Sequence, residues 1–296
     1  MTVTVLPTQR PFDPPLRAER EETLADYVPV QVVSTPLWRR ALDSSAWRQA
    51  ALLALLATLW EVAARAADND LLFPSFVSAA RALWEGLYGG ELLVRAGISL
   101  KLLLQGYALG VVLALGLTAL ATSSRWGRDL LASLTAMFNP LPAIALLPLA
   151  LLWFGLGSGS LIFVLVHAVL WPLALAASAG FSSVPETLRM AGRNYGLTGP
   201  RYVAQILLPA ALPSILSGLR VGWAFAWRTL IAAELFFGAS SGQGGLGWYI
   251  FQNRNELQTD RVFAGLALVI LIGWLVERLV FSTIEKATVT RWGMQR

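Results

Sequence analysis

The sequence predicts an all-α integral membrane protein with about six transmembrane helices, and three observations carry that prediction. Of the 296 residues, 56% are hydrophobic and only 14% are charged, against roughly 25% charge in a soluble domain. From Leu130 to Pro185 no Asp, Glu, Lys or Arg occurs over 56 consecutive residues, room for two spans of about 20 residues each. Another uncharged run, Leu102 to Ser124, covers 23 residues. The net charge of +5 does not point to nucleic acid, because a basic face needs clustered Lys and Arg. Only two lysines exist, Lys101 and Lys286. Cysteine is absent, which excludes disulfide scaffolds and Cys-based metal or redox centres.

Taken in order, residues 1–45 contain six prolines and no continuous apolar core. They read as a mostly flexible tail, not a signal peptide. Ala46 to Ala67 forms the first span, with Glu61 and Arg65 near its end. Phe73-Pro74-Ser75 then opens an amphipathic stretch reaching Leu87, expected to lie along the periplasmic surface of the membrane. Leu102 to Ser124 is the second span. The long uncharged run gives the third and fourth, divided by the glycine-rich reversal 155–160. Pro213 to Gly238 is the fifth and carries Arg220, Arg228 and Glu234; Val262 to Ile284 is the sixth, leaving 285–296 as a short tail. A transmembrane domain 46–284 results. With six crossings, fifteen Lys and Arg residues fall on the side of both termini and six on the other. That bias places both termini in the cytoplasm, in a multi-pass protein of the bacterial cytoplasmic (inner) membrane surrounded by lipid.

The most informative stretch is the coupling segment 185–213, PETLRMAGRNYGLTGPRYVAQILLPAALP, between the fourth and fifth spans. Pro185 and Glu186 suit a helix start, and Gly196 suits its end. A second piece, Arg201 to Leu208, is expected to stop at Pro209, which has no N–H for the ladder. Two short helices across the cytoplasmic face, or a plain connecting loop, are the two readings from the residues alone.

At these residues the chain resembles a family. Ala191, Gly196, Ile206, Leu208 and Pro209 fall on the pattern Glu-Ala-Ala, three residues, Gly, nine residues, Ile-x-Leu-Pro of ATP-binding-cassette (ABC) importer permeases. Similar to the branch for nitrate, sulfonates, taurine and bicarbonate are three further motifs. They are Asn139-Pro140-Leu141-Pro142-Ala143 with Leu152-Trp153-Phe154-Gly155-Leu156-Gly157, then Pro209 to Ile215, and Ala232-Ala233-Glu234 followed by Gly244-Gly245-Leu246-Gly247. Met190 replaces the motif glutamate and Gly192 its second alanine; Glu186, one turn earlier, is placed to substitute in part. The resemblance implies a type I importer arrangement whose segment 185–213 is a coupling helix seated in a separate ATPase. It also implies two ATPase copies holding ATP-Mg, a periplasmic or lipid-anchored binding protein, and a second permease chain, as a homodimer. No Gly-x-x-x-x-Gly-Lys-Ser/Thr loop occurs, in keeping with a chain that binds no cofactor itself and takes its energy from a partner.

Charges inside spans are costly and face a cavity or a partner. Arg228, near the middle of its span, and Glu234 are therefore candidate pathway residues, together with the adjacent Trp227 and the span prolines Pro142 and Pro148. For Arg228 two readings stand: an ion pair with another span, for example through Glu61, or a two-pronged donor to an anionic cargo. His167 is the one histidine. It is expected to make a helix–helix hydrogen bond, since a single histidine builds no metal site. Residues 238–247, with five glycines, read as a shaped outer gate or as a flexible connector. The function predicted is the permease of an ATP-driven importer for a small anion. A secondary transporter would favour inverted repeats, and a membrane enzyme would need clustered catalytic groups; neither is visible.

Overall fold

The computed structural model describes residues 44–237 and 244–291. Nearly all of the N-terminal tail, the stretch 238–243 and residues 292–296 lie outside the described residues. The chain divides into two units, one ending at Ala54 and one starting at Leu55; the packing below is that of the second. Every regular element among the described residues is helical. In order these are α1 (Ser45–Ala67), α2 (Phe76–Tyr88), α3 (Glu91–Ser123), α4 (Arg125–Phe138), α5 (Leu147–Phe154), α6 (Ser158–Ser182), α7 (Glu186–Asn194), α8 (Leu208–Phe237), α9 (Leu246–Asn255) and α10 (Thr259–Leu275). Five helical runs are long and apolar enough to cross a membrane, or six if the bent pair α4–α5 is one crossing.

Local chemistry sets the element ends. The Ser75 hydroxyl accepts from Ser78 N–H and starts α2, and Ser124 accepts from Gly127 N–H and starts α4; both are N-cap bonds. At residues 139–142 the Asn-Pro-Leu-Pro run removes two ladder donors and bars Leu141 from helical geometry. The third crossing therefore bends by 88° between α4 and the 3₁₀ turn Ala143–Leu146 that leads into α5. Gly155, at φ +70°, ends α5. The Ser160 hydroxyl then bonds the carbonyls of Ala150 and Gly155, tying α5 to the start of α6.

Helix α6 packs most extensively against α8 and α3. Lipid offers no hydrophobic drive between helices, so close packing and interhelical hydrogen bonds hold them. Gly106 of α3 lies so near α6 that a Cβ there would stand 2.5 Å from Leu165 Cβ, and one on Gly218 of α8 would stand 2.6 Å from Ala176 Cβ. Leu103, Leu165, Val169, Trp223 and Leu230 form one buried cluster; Leu173, Ala177, Phe181, Leu207 and Ile215 belong to a second. Tyr107 donates to the Leu219 carbonyl at 2.9 Å and Trp227 to the Val269 carbonyl at 3.2 Å, joining α8 to α3 and α10.

Three boundaries differ from the sequence expectation. Helix α3 begins at Glu91, well before Leu102, and spans about 50 Å at 1.5 Å per residue, so Arg95 and Lys101 occupy an end that outreaches a 30 Å hydrocarbon layer. The last helical path runs on through Val276–Phe281, Ser282–Glu285 and Lys286–Thr290, beyond Ile284. Pro209 does not stop a helix. The turn Gly199–Tyr202 and a π-helical segment Val203–Leu207 lead directly into α8, and Leu208 N–H bonds the Val203 carbonyl. The wider turn absorbs the donor that Pro209 lacks, so the second half of segment 185–213 is the start of a span.

Candidate functional site

A cavity of about 270 Å³ opens where three elements meet. The bend at residues 139–144 forms one wall; His167, Trp171 and Pro172 of α6 and Phe225, Arg228 and Thr229 of α8 form the others. His167 and Trp171 are four residues apart and so share a helix face. The bend that the prolines force is what opens the space between α4 and α5. Pro142 thus lines the same cavity as Arg228, whereas Pro148, Trp227 and Glu234 do not.

Arg228 is exposed, donates Nε–H to the Ala224 carbonyl of its own helix at 3.0 Å, and stacks over Phe225 at 5.2 Å. Among the described residues no carboxylate lies within ion-pair distance of it. Glu61, the partner considered from sequence, is engaged with Arg65 at 2.7 Å and accepts from Val77 N–H at 3.1 Å, capping α2. Arg228 stands past the middle of α8, which begins before Pro213; about 30 Å of helix precedes it and about 14 Å follows it to Phe237. The guanidinium retains donors for a planar oxyanion. His167 makes no helix–helix hydrogen bond: among the described residues neither ring nitrogen has a partner. Edge-on contacts with Phe138 at 6.4 Å and Trp171 at 6.1 Å orient its ring instead.

Glu234 occupies a different site, which sequence reasoning missed. It is 3% exposed. Its carboxyl accepts from the Ser99 hydroxyl at 2.9 Å and from Gly247 N–H at 2.8 Å, and the Ser99 oxygen in turn accepts from Leu246 N–H at 2.8 Å. Two orphan donors of the α9 N-terminus are satisfied in this way, with an acid at the favourable end of the dipole. Gly245 and Gly247 are glycines because the carboxyl and its helix press on them; a Cβ on Gly247 would stand 2.6 Å from the Ile231 carbonyl. Arg95 adds a bond to the Gly244 carbonyl at 2.9 Å. A lone span acid followed by Gly244-Gly245-Leu246-Gly247 was the available signal.

In segment 185–213, α7 ends as the sequence predicts. Gly196 adopts φ +70°, Leu197 N–H bonds the Gly192 carbonyl and Gly196 N–H the Arg193 carbonyl, a Schellman closure. Arg189 donates to the carbonyls of Phe181 and Val184 and so holds α7 to the end of α6. Glu186 lies 3.7 Å from Arg193 and 3.9 Å from Arg189. Gly192 is buried; a Cβ there would meet the Tyr202 ring at 2.8 Å and Ile206 at 3.0 Å. The departure from the alanine pattern is thus matched by Tyr202 filling the space. Leu188 and Met190 on α7 and Tyr195 just past its end are exposed, and Ala191 is half-buried. Among the described residues no group of three or more His, Cys, Asp or Glu side chains could hold a metal ion.

Residues 106–282 match the family model described as binding-protein-dependent transport system inner membrane component. The chain belongs to this family. Several relatives agree. A protein of Methanocaldococcus jannaschii named as an ABC transporter permease is 32% identical over 77% of this chain and 85% of its own length. An Escherichia coli protein named as an aliphatic sulfonates transport permease is 31% identical over 75% and 83%. The taurine transport system permease of Escherichia coli is 30% identical over 81% and 88%. This permease is thus a multi-pass membrane protein and a translocation component, and its helices fit the type I importer arrangement.

Proposed function

We propose that this permease forms half of the pathway of an ATP-driven, binding-protein-dependent importer for a small anion. The observation that carries the anionic cargo is Arg228, a cation on a membrane-crossing helix that lines a cavity and has no acid within ion-pair distance among the described residues. Relatives named for sulfonates and taurine support the class. The opposed face of the cavity is supplied by a second, identical permease chain. Two ATPase subunits bind ATP-Mg; this chain binds no cofactor and hydrolyses nothing. Helix α7 is the coupling element. Its exposed Leu188 and Met190 face the ATPase groove, Glu186 stands in for the missing motif glutamate, and Gly192, Ala191 and Gly196 set its shape. Ile206, Leu208 and Pro209, at the root of α8, carry the movement of α7 into the span that bears Arg228. Both termini and α7 lie in the cytoplasm, α2 and α9 at the periplasmic side of the inner membrane, where a periplasmic or lipid-anchored binding protein delivers the solute. Pro148, Trp227 and Glu234 shape the pathway by positioning its helices.

Reconstitution in proteoliposomes tests this reading. Anion uptake is expected only when the ATPase, the binding protein and ATP are all present. Uptake by the permease alone along an ion gradient would replace the reading with a secondary carrier.

A further inference from the structure

Arg220 is the other cation of the fifth span, and the cavity at Arg228 does not use it. Cations in spans are costly and stay where they are paired. Arg220 Nε stands 3.0 Å from a Glu277 oxygen, and Nη2 donates to Glu285 at 2.9 Å. One guanidinium thus joins α8 to two carboxylates of the last helical path. The three side chains are between 35% and 48% exposed, where ion pairs add little to stability. A rigid fork held by two acceptors does, however, fix where one helix stands against another.

Packing differs on the two sides of this bridge. Toward Arg228, the Phe281 ring lies 5.9 Å from the guanidinium and meets Trp223 edge-on, and Trp223 meets Tyr107 of α3 in the same way. One turn further on, Trp227 bonds the Val269 carbonyl. Arg220, Trp223 and Trp227 follow the i, i+3, i+7 spacing of a single helix face, so this face of α8 is closed against the last helix. Toward α7 it is open. A cavity of about 180 Å³ separates Pro213, Leu216 and Ser217 of α8 from Phe281, Glu285 and Val289 of the last path. Both helices are irregular there. Pro213 lacks the ladder N–H, the π segment Val203–Leu207 precedes it, and the π segments Val276–Phe281 and Lys286–Thr290 flank Ser282–Glu285. Prolines and π turns are where helices bend, whereas a close-packed interface leaves no room for it.

Resting on the reading of α7 as the coupling element, we propose that Arg220 is a positioning residue: its bridge to Glu277 and Glu285 is the fulcrum on which the root of α8 swings against the last helix. Below the bridge, the cavity and the irregular turns take up the movement of α7. Above it, α8 and α10 stay locked and carry that movement as one body to Arg228. Arg220 lies about 18 Å along the helix from Leu208 and about 12 Å from Arg228, and so divides α8 into two arms.

The chain has no cysteine, so spin labels report only from introduced sites. Pulsed electron paramagnetic resonance on the complete transporter in nanodiscs, with labelled permease diluted by unlabelled, compares the nucleotide-free complex with one trapped by ATP and vanadate. One label pair, Arg201→Cys with Lys286→Cys, lies below the bridge; the other, Phe225→Cys with Ile270→Cys, lies above it. All four positions are exposed. On trapping, the lower pair is expected to shift by about 2 Å and the upper pair to keep its distance. Arg220→Met is expected to let the upper pair shift too while ATP hydrolysis continues; Arg220→Lys, a charge without the fork, should restore part of the lock. Ser217→Leu, which fills the cavity, should diminish the lower shift. Both pairs moving together in the parent, a lower pair that stays still, or an Arg220→Met variant with the parental pattern would each overturn the proposal. So would an Arg220→Met variant that broadens both pairs equally in both states, the mark of a role in folding alone. Stimulated ATP hydrolysis of Met190→Asp reads the α7 assignment separately. Its loss beside an immobile lower pair overturns the fulcrum alone, and its persistence overturns the α7 reading.

Discussion

Replacing Glu234 by alanine tests the arrangement that joins α8, α3 and α9. The carboxyl is buried and accepts two donors, Ser99 Oγ–H at 2.9 Å and Gly247 N–H at 2.8 Å. Alanine leaves both without an acceptor, at about 1–3 kcal/mol each, and adds a cavity, so a total loss of about 3–5 kcal/mol is expected. Glutamine keeps the shape. It can turn its oxygen to Gly247 N–H and its amide to the Ser99 oxygen, which already accepts from Leu246 N–H. Only the Ser99 hydroxyl proton then loses its acceptor, and the cost falls to about 1 kcal/mol. Thermal unfolding of the detergent-solubilised protein reads the first difference. Amide hydrogen exchange reads the second, because opening of α9 should expose Leu246 and Gly247 before the rest of the chain. An alanine variant with parental melting temperature and unchanged exchange at Leu246 and Gly247 would refute the reasoning.

Three further outcomes follow from the same geometry. Gly245→Ala places a methyl against Ser99 and the Glu234 carboxyl and should destabilise by about 1–3 kcal/mol, a loss that Ser99→Ala in the same chain partly relieves in a double-mutant thermal analysis. Arg220 is held by Glu277 at 3.0 Å and Glu285 at 2.9 Å; Arg220→Met should lower stability by about 1 kcal/mol and increase exchange between Ser282 and Thr290. Met190→Asp, on the exposed face of α7, should leave folding unchanged by circular dichroism while reducing stimulation of the ATPase in the assembled complex about tenfold or more; an undiminished ATPase would remove Met190 from the coupling surface.

The spans were legible because charge is expensive in lipid, so uncharged runs and the arginine bias mark them directly. Helix α7 was legible for a local reason: Pro185, Glu186 and Gly196 are end signals that act within one turn. What escaped depends on contacts distant in sequence. Ser99 and Glu234 are 135 residues apart and Ser99 and Leu246 147, and no periodicity links them. Pro209 misled because a proline rule for α-helices does not cover a π turn that already omits the i→i−4 bond. The depth of Arg228 shifted for the same reason, since the helix starts before the proline taken as its boundary. For His167 the expected partner is absent among the described residues, and its aromatic neighbours Phe138 and Trp171 take that place.

The most direct test of the central claim is uptake by the complete transporter carrying Arg228→Gln or Arg228→Lys. The account predicts that glutamine lowers uptake tenfold or more, on the order of 1.4 kcal/mol or greater at the anion, that lysine retains part of it, and that neither changes assembly with the ATPase. Unchanged uptake and unchanged stimulation of ATP hydrolysis in the glutamine variant would contradict it.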